Sequence, residues 1–204
     1  MDTLKDKVVL ITGAGKGSGR ILAQAFAGQG AIVAANDISP VNVEEVVDEI
    51  LARGGRARTY IEDVAKKVGS QNIVNQVEDD FGRIDILINH AAVQPRVPLL
   101  DMDEWDWHRT LDVNLTGAFL MTQSAGRVMR VHGGGVIINL ISEPADGESR
   151  QSAFTASMKG LDGFTKQAAR ELSTYGIQVY SVKNIQDKIV ETVLILLDVQ
   201  TEER

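Results

Sequence analysis

Runs of branched apolar residues recur along the chain, near 7–13, 31–37, 56–63, 84–89, 135–142 and 178–182, each bounded by polar or glycine-containing stretches. They are too short for helices, and most are too continuously apolar for half-exposed strands, so they predict strands buried on both faces. Segments of ten or more residues with helical spacing separate them. Ser39-Pro40 starts one helix, as N-cap and first-turn proline, and Arg53-Gly54-Gly55 ends it. Long helices are predicted near 103–132 and 152–174. A terminal helix carries Ile185, Ile189, Val193, Leu196 and Leu197 on one stripe that must pack on the sheet, with Leu194 and Ile195 off it. Alternating strands and helices imply a parallel sheet with right-handed crossovers, covered on both faces. The expected architecture is a doubly wound, Rossmann-like α/β fold forming a single domain over 1–204, with neither internal repeat nor low-complexity linker.

The first strand, Val8-Val9-Leu10-Ile11-Thr12, runs into Gly13-Ala14-Gly15-Lys16-Gly17-Ser18-Gly19, and the second strand ends at Asp37. Such a turn lets backbone N–H groups approach a pyrophosphate, and the next helix offers its positive N-terminus to the same charge. Spacing separates the possible phosphate loops. A P-loop needs a second glycine five positions after the first, and Ser18 and Arg20 stand there for Gly13 and Gly15. The G-x-G-x-x-G form fails as well, because Ser18 and Leu22 fall at its third glycine. The pattern that fits is T-G-x-x-x-G-x-G, through Thr12, Gly13, Gly17 and Gly19. Asp37 stands at the interval where an acid accepts both ribose hydroxyls and repels a 2′-phosphate, which favours NAD. Lys16, ordinarily a solvated loop charge, would attract that phosphate and makes NADP the lesser alternative.

A formal net charge of −7 argues against a nucleic-acid surface, which needs a basic face. The absence of cysteine excludes disulfides and thiolate metal sites, and His90, His108 and His132 lack ligand spacing, so no metal is expected. The first apolar run is too short for a signal-peptide core, and no run approaches a membrane span, so the expected location is cytoplasmic.

These features together resemble the short-chain dehydrogenase/reductase family, including its 3-ketoacyl reductase-like members, over nearly the whole chain. After the glycine turn, Asp63-Val64 at the end of the third strand matches the family's adenine pocket. Asn89-His90-Ala91-Ala92 stands where the family usually has Asn-Asn-Ala-Gly. Asn114 lies in the helical segment Asp112-Val113-Asn114-Leu115, and Ser142 ends the fifth strand. The resemblance implies cofactor contacts from Thr12, Gly13, Gly15, Lys16, Gly17, Ser18, Gly19, Asp37, Asp63, Val64, Asn89 and Ala91, with Ser142 and Asn114 as retained catalytic positions. It also implies a homodimer through the two long helices.

The catalytic tyrosine and lysine of the family have no counterpart. Aligning on Gly163-Phe164-Thr165 and Tyr175-Gly176-Ile177 puts Phe154 at the tyrosine position and Met158 at the lysine position. Lys159 is one residue off, which on a helix rotates it by ~100° onto another face. Strand six leads through Lys183-Asn184 directly into Ile185-Gln186-Asp187-Lys188-Ile189-Val190, so the resemblance implies a deleted substrate lid and a fold without the family's last strand. His90 reads as a structural histidine. The reading that follows is an NAD-binding protein whose conventional carbonyl–alcohol chemistry is absent or very weak. The alternative is an active NAD-dependent oxidoreductase that uses Ser142 with an unconventional proton donor, His90 or water; its small-molecule substrate is unreadable.

Overall fold

A computed structural model describes residues 4–143, 149–183 and 189–202, with side chains of the last helix up to Leu197. Six strands, β1 (Val8–Thr12), β2 (Ile32–Asp37), β3 (Arg56–Ile61), β4 (Ile86–Asn89), β5 (Gly135–Ile141) and β6 (Ile177–Lys183), form one parallel sheet in the order β3-β2-β1-β4-β5-β6. The helices are α1 (Gly17–Gly28), α2 (Pro40–Ala52), α3 (Lys67–Phe81), α4 (Glu104–Leu111), α5 (Ala118–Val131), α6 (Ser152–Leu172) and α7 (Ile189–Glu202).

Strand alternation divides the apolar residues into two cores. Val9 and Ile11 face a layer made by α1, α2 and α7, where Phe26, Val46 and Val193 are fully buried. Val8 and Leu10 face the layer of α3, α5 and α6, with Ile73, Met121 and Ala168. The terminal stripe follows this division: Ile189, Val193 and Leu197 are buried, Leu196 and also Leu194 pack partly, and Ile195 is exposed. Its first member, Ile185, lies outside the described residues, as does the 184–188 segment on which the deleted lid was read. Among the described residues no helix is long and apolar enough to cross a membrane.

Two expected elements differ in detail. The helix expected near 103–132 is interrupted by a π-helical turn, Asp112–Gly117, between α4 and α5. Within it the Asn114 side chain bonds both backbone groups of Val93, which a wider turn accommodates. Ser39 is the N-cap of α2, but its side chain makes no capping bond; its N–H donates to Asp37 Oδ1 at 3.0 Å instead.

Candidate active site

The strand order reverses at β1, opening a crevice between the carboxyl ends of β1 and β4, where ligands of doubly wound sheets bind. Thr12 closes its floor. Its hydroxyl accepts from the N–H groups of His90 and Ala91 at 3.0 and 3.1 Å and donates to Ile88 O, tying β1 to β4. At Gly13 and Gly19 the turn is packed so tightly that a side chain is excluded. A Cβ on Gly19 would lie 2.2 Å from Gly13 O, and one on Gly13, which also has a φ of +66°, would lie 2.8 Å from Ala91 Cα.

α1 begins at Gly17 with exposed Lys16 as an extended N-cap that makes no side-chain capping bond, so first-turn N–H groups lack intrahelical acceptors. The Ser18 hydroxyl is turned to His90 Nε2 at 2.9 Å, and His90 Nδ1 lies 3.0 Å from Gly13 O. A carbonyl only accepts, so Nδ1 carries the proton of the neutral ring and Nε2 accepts from Ser18. Burial holds the His90 pKa below the ordinary histidine value. His90 therefore clamps the phosphate turn to the end of β4.

On the β2 side, Asp37 Oδ2 accepts from Gly15 N–H at 3.0 Å and Oδ1 from Ser39 N–H, fixing the carboxylate beside the turn. β3 stops at Ile61, so Asp63 and Val64 lie in the following loop rather than at the strand's end as expected. The buried Asn36 amide donates to Tyr60 O and Glu62 O, which holds the end of β3 and the start of this loop against β2. Asp63 accepts from Ala65 N–H at 3.0 Å and from Arg109 Nη1 at 3.1 Å. Arg109, on α4, was not singled out from the sequence. Its partner is 46 residues away.

On the β5 side the lining is different. Phe154 and Met158 are 2% and 3% exposed and form an apolar cluster with Ala118, Ile141 and Leu161. Ser142 follows the last residue of β5 and is half-buried. Lys159 is exposed on another face, paired with Glu143 at 3.5 Å. Asn114 Nδ2 also bonds Ser157 Oγ at 3.0 Å, and Ser157 donates to Phe154 O. Asn89 donates to Asn139 Oδ1 and Thr122 Oγ1, and Asn139 donates to Thr165 Oγ1, which continues the chain to Leu161 O. Asn139 and Thr165 were also missed, although pairing of Asn89 with Asn139 across the β4–β5 ladder follows once register is known. Asn89 Oδ1 alone in this network is buried with no partner among the described residues.

The tight turn, the uncapped helix start and the Asp37 carboxylate are the parts a dinucleotide requires, and these residues fit one.

The short chain dehydrogenase family profile matches residues 7–192. An uncharacterized oxidoreductase from Thermotoga maritima is 41% identical over 177 residues, covering 86% of this chain and 70% of its own. A 3-oxoacyl-[acyl-carrier-protein] reductase from Synechocystis is 36% identical over 184 residues, covering 89% and 74%. A metagenomic short-chain oxidoreductase solved in complex with NADP superposes with a TM-score of 0.90 at 29% identity, covering 96% of this chain and 91% of that one. With this profile match and these relatives, the chain belongs to the short-chain dehydrogenase family.

Proposed function

We propose that this protein binds NAD(H) in the β1–β4 crevice and carries out the family's carbonyl–alcohol hydride transfer very weakly or not at all. The observation that carries this reading is the pair Phe154 and Met158, buried in an apolar cluster where the resemblance places the proton-transferring tyrosine and its lysine. Loss of a general acid/base forfeits about 10²–10⁴ in rate. Lys159 does not replace the missing cation, because its ammonium is engaged by Glu143 on the surface. His90 is a poor substitute donor: its one neutral-ring proton is committed to Gly13 O.

NAD is favoured over NADP by the Asp37 carboxylate, already oriented by two backbone donors beside the turn. A homodimer is proposed through α5 and α6, between which runs a 290 Å³ groove lined in part by Phe119, Arg130, Phe164, Leu172 and Tyr175. The proposed location is the cytoplasm. The cradle is tested by calorimetric titration with NAD, NADH, NADP and NADPH, and the chemistry by steady-state assays over ketones, 3-ketoacyl thioesters and secondary alcohols. Saturable binding without turnover supports the reading; robust turnover insensitive to Ser142→Ala overturns the site assignment.

A further inference from the structure

We infer that recognition in this crevice ends at the pyrophosphate: the protein reads the adenosine diphosphate half of its ligand, so ADP-ribose binds as well as NAD or NADH. The inference rests on the cofactor-binding reading above and narrows its ligand class. With the ribose-binding acid on β2, one nucleoside lies over β2 and β3, and the other must extend over β4 and β5 toward α6.

The two sides offer unequal hydrogen-bonding capacity. Each oxygen of Asp37 accepts one backbone N–H, leaving a lone pair on each, the number a ribose cis-diol needs. Asp63 likewise accepts one bond at each oxygen and keeps capacity for a donor such as an exocyclic amine. The N-terminus of α1, which the Lys16 side chain does not cap, offers its positive dipole end to the phosphates. Across the crevice, among the described residues, the donors of Thr12, Asn114 and Asn89 are already committed to the protein. The Thr12 hydroxyl has three bonds, Asn114 is held by Val93 and Ser157, and both amide hydrogens of Asn89 are donated.

What α6 adds at the crevice is Met158, packed in one apolar cluster with Phe154, and neither side chain has an N–H or O–H to offer a second ribose. The cavity bordered by Met158, Leu161 and Asn89 is about 10 Å³, room for one water, which would satisfy the unpartnered Asn89 Oδ1. Ser142 adds one half-buried hydroxyl at the end of β5.

Calorimetric titration of the whole chain with NAD, NADH, ADP-ribose and nicotinamide mononucleotide tests this. The expected result is dissociation constants for the first three within about threefold of one another, and no saturable binding of the mononucleotide. A dinucleotide that binds more than about tenfold tighter than ADP-ribose, or saturable mononucleotide binding, overturns the inference and leaves the cradle reading intact. Failure of all three adenine ligands to bind overturns the cradle reading itself.

Discussion

Replacing His90 by alanine removes two hydrogen bonds that hold the phosphate turn, from Ser18 Oγ at 2.9 Å and to Gly13 O at 3.0 Å. Each is worth about 0.5–1.5 kcal/mol net, and a buried group deprived of its partner loses about 1–3 kcal/mol unless water replaces it. Ser18 is 7% exposed, while His90 itself is only half-buried, so water reaches part of the vacated space. The expected loss is about 2–4 kcal/mol, or a midpoint lowered by about 5–15 °C in a domain of this size. His90→Asn, which keeps one donor and one acceptor, recovers at least about 1 kcal/mol. The pH dependence supplies a second readout. Burial lowers the His90 pKa in the folded protein below the ordinary 6.5, so the unfolded chain takes up the proton first as pH falls. The histidine's contribution is therefore complete above the unfolded value and is lost as pH drops below it toward the folded one. Urea denaturation from about pH 5 to 8 measures both effects, and the gap between wild type and His90→Ala narrows toward the acid end. A loss under about 1 kcal/mol, or a gap that stays constant across that range, refutes the clamp.

Three further outcomes are expected. NADH binds at least about tenfold tighter than NADPH, and Asp37→Asn erodes that preference; equal affinities in the wild type would instead make Lys16 the deciding residue. Steady-state assays show little or no turnover, and Phe154→Tyr with Met158→Lys raises the rate only where the substrate pocket is retained, read as kcat against KM for each substrate class. Light scattering at micromolar concentration reports a dimer that Phe164→Glu dissociates, because Phe164 packs edge-to-face on Phe119 at 6.0 Å in the proposed interface; a monodisperse wild-type monomer contradicts it.

The elements were legible where a local period carries them. Strand runs with alternating faces specify two cores, and the apolar stripe through Ile189, Val193 and Leu197 specifies one buried helix face. The helix rotation separating Met158 from Lys159 was legible for the same reason, and the one is buried while the other is exposed. Partners far apart in sequence were not. Thr12 meets His90 across 78 residues and Arg109 meets Asp63 across 46, and no local period reports such pairings. The π turn was hidden as well, because it accompanies the bonding of Asn114 to the backbone of Val93, 21 residues away.

That distinction bears on how the glycine motif acts. Thr12, Gly13 and Gly19 belong to the pattern by which the turn was recognised, yet in the fold they are engaged with the protein itself: the threonine hydroxyl with β4, and the two glycines with backbone so close that a single Cβ would not fit. Their contribution to a ligand is to shape the turn and release the α1 N-terminus. Asp37 and Asp63 differ in kind, since their oxygens retain acceptor capacity after the internal bonds are counted. Changes at Gly13 or Gly19 should therefore destabilise the fold and weaken every ligand together. Changes at Asp37 should redistribute affinity among ligands, with any effect on stability limited to its two backbone bonds. The clamp by His90 sits between these groups, because it shapes the turn through a side chain whose pKa burial lowers in the folded protein, and this links the stability of the turn to pH through the histidine.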